Sequence, residues 1–208
     1  MGSLLTVTVA ATERKLTTAA ALRADLGVSS TEASDARLED LILRASRAIE
    51  SYCGRVFAKE TLSEVFRCPR GHVLPLTRYP VVTLTSVTED GTALSASAYE
   101  TDTAAGRLYR LSSDARICWS AAKVTVVYDA GFILPPTGGS TLPPDIEAAA
   151  LKLAAGFYFG AARDPLVKGE SADGIGSVDY WVGGMPGASG ELPPDVLALL
   201  APYRTLFV

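Results

Sequence analysis

Along the chain the spacing of apolar residues changes twice, and each change marks a new kind of element. Leu38, Leu41, Ile42, Ala45, Ile49 and Tyr52 recur at intervals of three and four, the spacing of one face of an α-helix. Asp35 is the expected N-cap, Glu39 and Asp40 fall in the first turn, Arg47 lies toward the other end and Gly54 supplies the stop. This predicts a helix over 35–53 whose charges complement its dipole. Ahead of it, AAALRADLG predicts a short helix over 18–26, capped by Thr17 or Thr18 and closed by Gly27, which takes a left-handed conformation without strain. From Glu60 to about Phe132 the period shortens to two. TLSEVFR, HVLPL, VVTLTSV, GRLYRL and AKVTVVY alternate β-branched and polar residues and predict antiparallel strands, with AKVTVVY, the most apolar, at the centre. Glu89, Asp90 and Gly91 predict a hairpin turn after VVTLTSV, because Asp-Gly tolerates the positive φ angles a tight turn needs.

The stretch FILPPTGGSTLPPD cannot continue a sheet and predicts a surface loop. IEAAALKLAAGFYFG then predicts a helix over 145–159 that is apolar almost all round. Such a helix needs cover from more than one neighbour, and subunit contacts are a candidate source. Residues 163–191 are rich in glycine and keep no period, which predicts a long loop with a functional role or no order. A second LPPD starts a short helix ending near Leu200. The expected fold is α+β: a small helical bundle with an inserted antiparallel β region (60–132), in one domain with an extended loop and a C-terminal tail. Residues 1–164 would form the core and 165–208 the interaction loop, last helix and tail.

Composition narrows the function. The chain has 208 residues, 48% hydrophobic and 20% charged, which excludes a chain disordered throughout. Nineteen basic against 23 acidic residues leave a net charge of −4, so nothing global draws it to phosphate backbones or anionic lipid. No window approaches the ~20 apolar residues of a membrane span, and the N-terminal stretch lacks a signal-peptide pattern. Cys53, Cys68 and Cys118 are odd in number and widely spaced, which predicts buried, reduced thiols and no disulfide framework.

Catalytic and metal patterns fare poorly. A zinc site would have to join Cys68 and His72 to both distant cysteines. His72 follows Arg70 and Gly71 at an expected turn, and no GxSxG elbow is present. Gly174 and Gly176 in DGIGSVD follow no expected strand and lack the third glycine of a dinucleotide fingerprint, and Asp173 and Asp179 do not match a calcium loop. The expectation is no enzyme, no cofactor and no metal. Aromatic and aliphatic residues on a glycine-rich segment are instead the composition of an interface anchor, the alternative being that they fold back on the chain's own core. The candidate partner-binding residues are Val178, Tyr180, Trp181 and Val182 in that segment, with Tyr203, Arg204, Leu206 and Phe207 in the tail.

One ordered set of segments is more specific than any of its parts: LTTAAALRADLGV, DARLEDLILRASRAIESYCGRVF, LPLTRYPVVTLTSV followed by EDG, VTVVYDAGF, and LPPDIEAAALKLAAGFYFGAARD. Together they cover most of residues 16–164 and resemble the head-to-tail connector (adaptor) proteins of long-tailed phages and gene transfer agents. The resemblance implies a homo-oligomeric ring, usually twelvefold, under the portal protein in the virion neck. The ring would receive a stopper or tail-terminator protein and let DNA pass without specific binding; the chain would be made in the host cytoplasm. It assigns Leu38, Leu41, Ile42, Ala45, Ile49 and Tyr52 to the core and Arg55 to a helix-end anchor, with no catalytic residue. The alternative is a small ligand-binding or enzymatic α+β domain with a pocket between sheet and helices.

Overall fold

The computed structural model describes residues 2–161, 169–172, 176–179 and 192–204, and the chain separates into two compact units. The first, Met1–Thr12 with Phe57–Ile133, is all β; the second, Glu13–Val56 with Leu134–Val208, holds every α-helix described. The α+β class expected from the two periods is what the described residues form.

In the β unit the alternation is written directly into burial. Along β2 (Glu60–Arg67), Glu60, Leu62, Glu64 and Phe66 are buried and the residues between them are not. Along β9 (Lys123–Ala130), Val124, Val126, Tyr128 and Ala130 are buried. These inward residues pack with Leu74, Leu76, Val81, Val87, Leu108 and Trp119 into one core. The main sheet is ordered β1 (Ser3–Val9), β2, β9, β4 (Val81–Glu89), β5 (Thr92–Ala93), so the most apolar strand is central as expected. Asp90 (φ 49°) and Gly91 (φ 89°) form the turn between β4 and β5. A second sheet runs β3 (Val73–Pro75), β7 (Arg107–Ser112), β6 (Tyr99–Asp102); β8 (Ala115–Ile117) pairs with the far half of β7.

The strand β1 is absent from the expected elements. It pairs antiparallel with β2, from Ser3 opposite Phe66 to Val7 opposite Leu62, then a bulge before Val9. Its partner lies across the whole helical stretch 13–56, so no neighbouring strand or turn marks it in the sequence.

In the helical unit, α1 (Ala19–Leu26) starts at Thr18, whose hydroxyl accepts from Ala21 N–H at 3.1 Å, and stops at Gly27 with φ 66°. The long helix α2 (Asp35–Cys53) also stops where expected, at Gly54 with φ 65°, but its N-cap is Ser34 and not Asp35. Ser34 Oγ accepts from Arg37 N–H, while Asp35 sits in the first turn and pairs with Arg23 at 2.5 Å. The face is Leu38, Leu41, Ile42, Ala45, Ile49 and Cys53; Tyr52, expected in the core, is only half-buried. Ser46 is buried within that face, where its hydroxyl donates to Ile42 O (2.7 Å) and accepts from Leu16 N–H (3.0 Å). The helix expected over 145–159 is α3 (Pro144–Gly160). It buries Ile146, Ala149, Ala150, Leu153 and Ala154 against α1, α2 and α4 (Pro194–Leu200). Three neighbours inside one subunit thus cover most of its apolar circumference.

The glycine-rich segment departs from a plain loop. Gly169–Ala172 (β10) and Gly176–Asp179 (β11) form an antiparallel pair, from Gly169 opposite Asp179 to Ala172 opposite Gly176. Only one residue of the eight, Val178, is large and apolar, so apolar alternation had nothing to show there.

Candidate functional site

The tail root is the part of the expected interface that can be built from atoms. Helix α4 ends in a 3-10 turn over Ala201–Tyr203, which delivers Tyr203 and Arg204 side by side. The Tyr203 hydroxyl donates to Asp145 Oδ2 at 3.3 Å, in the first turn of α3. Partial burial, followed by the negative charge and hydrogen bond of Asp145, raises the Tyr203 phenol above its ordinary pKa. The Arg204 guanidinium lies 5.2 Å from the centroid of the Tyr52 ring. Cation–π contact at an exposed site is worth roughly 0.5–1 kcal/mol. Tyr52 is therefore half-buried for a reason: its ring is a seat for the tail root. Two anchors thus hold the root of the tail, Tyr203 and Arg204, in place.

The other candidate residues divide. Val178 lies on β11 opposite Glu170. Tyr180, Trp181, Val182, Leu206 and Phe207 lie outside the described residues. Arg55, implied as a helix-end anchor, follows the Gly54 stop and donates its N–H to Glu50 O at 3.2 Å.

Two surface features were not read from the sequence. Phe159, at the end of α3, is 63% exposed beside Tyr158, whose ring is met edge-on by Phe159 and lies 5.2 Å from the Arg37 guanidinium. On β1, Leu4, Val7 and Val9 are exposed. The run LLTVTV carries the period-two signal, and FYF marks the helix end.

The cysteines correct an expectation. All three are free, but only Cys53 is buried; Cys68 sits exposed at a turn with φ 46°, and Cys118 is exposed with its Sγ 3.4 Å from His72 Nε2. Cys68 lies at the turn after β2 and Cys118 just past the end of β8, and both are outside the core. Among the described residues no three His, Cys, Asp or Glu side chains gather as a metal site, and no helix is long and apolar enough to cross a membrane.

Burial pushes the Cys53 thiol up to about 11, against the opposing positive charges of Arg55 and Arg204. The folded state then holds this proton more tightly than the unfolded chain, whose thiol titrates near 9.0. That contribution is intact below the unfolded value and is lost as pH rises toward the folded one. Urea midpoints should therefore fall between about pH 9 and about pH 11, and Cys53→Ala should flatten this slope. An equal slope in both proteins would assign it elsewhere.

Fold and site together define an α+β subunit with an antiparallel sheet unit, a helical unit and aromatic and cationic anchors at the root of its tail. The chain belongs to the head completion protein family, whose model matches residues 15–206. The resemblance read over residues 16–164 is thereby borne out and extended through α4. In fold the chain is similar to a chain of the neck of an empty gene transfer agent (GTA) particle computed with C6 symmetry. The TM-score is 0.59 at 22% identity, over 99% of this chain and 97% of that one. A chain of the neck of a native GTA particle computed with C12 symmetry matches over the same shares at TM-score 0.54 and 21% identity. A chain from the virion of a native GTA particle matches at TM-score 0.59 and 22% identity, again over 99% and 97% of the two chains. No curated protein matches the chain.

Proposed function

We propose that the chain is a structural head-to-tail adaptor of a virion neck: twelve copies form a ring between the capsid portal and the tail or stopper, leaving a conduit for DNA. The observation that carries this reading is the family match over residues 15–206, joined to a fold shared end to end with chains from GTA necks. The physical character of the chain supports it. A net charge of −4 gives passing DNA no general attraction, as suits a conduit. Tyr203 and Arg204 at the anchored tail root, with Leu206 and Phe207 beyond them in the sequence, serve as portal- or neighbour-binding groups, and Tyr180 and Trp181 serve the same role in the glycine-rich segment.

The native mass of the purified protein, alone and with its portal, tests the reading. A closed ring, or a monomer that becomes one on the portal, is the expected result. A discrete monomer or dimer that gains thermal stability with a small metabolite would replace it with a ligand-binding domain. Trp181→Ala is expected to lower the assembled fraction at least severalfold while shifting the melting temperature of the free chain by no more than about 2 °C. A large loss of melting temperature would place Trp181 in the core instead.

A further inference from the structure

Among the described residues the main sheet of the β unit ends in two open edges, and neither is guarded by charge or proline. An exposed strand edge offers a row of backbone donors and acceptors to any other strand, and soluble proteins blunt it with charge, proline or brevity. The outer strand β1 has seven residues, is paired among the described residues only by β2, and has no charged residue or proline anywhere in residues 1–12. It displays Leu4 at 66% and Val9 at 61% exposure, with Val7 between them. At the opposite edge, β5 covers only Thr88 and Glu89 of β4. Val81 N–H is taken by Thr103 O and Val87 O by Leu94 N–H, which leaves residues 82–86 uncovered by any other described strand on that side. This stretch, VTLTS, is also free of charge and proline, and Val82 is 51% exposed.

We propose that the β1 edge of one copy pairs with the 82–86 edge of β4 in the next, so that the sheet continues from subunit to subunit. The occupant of each edge is a second copy of this chain, because one sheet presents both halves of a head-to-tail contact. Heterologous contacts of this kind give a ring when the rotation from copy to copy closes. Both edges are uncharged, so the pairing sets no like charges against each other. The strands also carry the means to curve: β1 is bulged between Val7 and Val9, and β4 between Val81 and Thr83 and again between Leu84 and Ser86. Bulges add local bend and twist, which a sheet running round a ring requires. The proposal rests on the ring reading and names the surfaces that make the ring.

The test uses full-length chains with Cys68→Ser and Cys118→Ser, which removes the exposed thiols. One population carries Thr6→Cys; the other carries Val82→Cys, Thr83→Cys, Thr85→Cys or Ser86→Cys in turn. The two are mixed, assembled and oxidised, and disulfide-linked pairs are counted on a non-reducing gel. At least one mixture should give mixed pairs in tenfold excess over Thr6→Cys self-pairs. Predominant self-pairs would show an isologous contact and overturn the proposal, as would an absence of pairs in all four mixtures. Independently, Leu4→Lys with Val7→Lys should reduce the assembled fraction at least tenfold while the free chain melts cooperatively; unchanged assembly overturns the proposal. Native mass of the parent chain separates the two readings. A ring without mixed pairs leaves the adaptor standing and removes the edge contact, and a parent that forms no ring either alone or on its portal removes both.

Discussion

Gly131→Ala is expected to cost most of the stability of the β unit. Gly131 sits at φ +114°, a conformation alanine rarely adopts, and a Cβ there would lie 2.4 Å from Ala58 O, 2.7 Å from Ala58 C and 3.0 Å from Lys59 Cα. All three are backbone atoms, so no side chain can turn away. The backbone is also pinned on both sides: Lys59 N–H donates to Phe132 O at 2.9 Å, Phe132 N–H to Phe57 O at 2.8 Å, and Gly131 N–H to Pro80 O at 3.0 Å. Strained backbone costs about 1–3 kcal/mol and overpacking a similar amount. The sum, on the order of 2–6 kcal/mol, is a large share of the ~5–15 kcal/mol that holds a domain folded. Urea denaturation of the purified variant reads this directly. A loss under about 1 kcal/mol would mean that the Ala58 and Gly131 segments part more easily than their hydrogen bonds imply.

Glu64→Ala should be nearly as damaging, for an electrostatic reason. Glu64 has no exposed surface, and its carboxylate gathers four donors: Tyr128 O–H at 2.7 Å, Thr77 N–H at 3.1 Å, Thr77 Oγ1–H at 2.5 Å, and the Ser3 hydroxyl. These come from β1, β9 and the segment leading into β4, so one side chain joins three parts of the β unit. Truncation leaves the buried Tyr128 hydroxyl unanswered, takes the partner from the half-buried Ser3 and the exposed Thr77, and opens a cavity, on the order of 2–4 kcal/mol together. Tyr128→Phe removes one donor and should cost only about 1–2 kcal/mol. If the two variants lost equal stability, the carboxylate would matter through Tyr128 alone. Burial first, and then the charge and hydrogen bond of Glu64, raises the Tyr128 phenol well above its ordinary value of 10.0. The unfolded chain would release this proton first, so the contribution is complete below about pH 10 and is lost above it. Tyr128→Phe should remove that part of the alkaline decline.

What was legible in the sequence followed from period. Leu38 to Ile49 announced α2 because a helix exposes one stripe to the core, and Gly27 and Gly54 announced helix ends because φ values of 66° and 65° suit glycine. Asp90-Gly91 announced a turn for the same reason. The β7–β8 hairpin was hidden because Ser113 (φ 48°) and Asp114 (φ 65°) make its turn without glycine. Ser34 and Asp35 are both good caps, and composition alone could not rank them. The tail root was half legible: Tyr203 and Arg204 stood out as residue types, but Tyr52 and Asp145 lie far away in the chain and only the fold brings them there. Tyr52 looked like core because its spacing fits the helix stripe. Its ring lies instead under a guanidinium.

The separation of β1 from its partner has a consequence during synthesis. Ser3–Val9 leaves the ribosome about fifty residues ahead of Thr61–Phe66, the segment that pairs with it. At roughly 5–20 residues per second this uncharged, apolar stretch waits several seconds with no partner of its own. The helices α1 and α2 are translated in that interval, and their local contacts form quickly. β1 must then be captured across them by β2, and buried Glu64 closes on Ser3 only at that point. In a cell making many copies at once, nascent chains sit close together while their N-terminal strands are unclaimed. The order of translation thus leaves this strand without its partner while the whole helical stretch 13–56 is made.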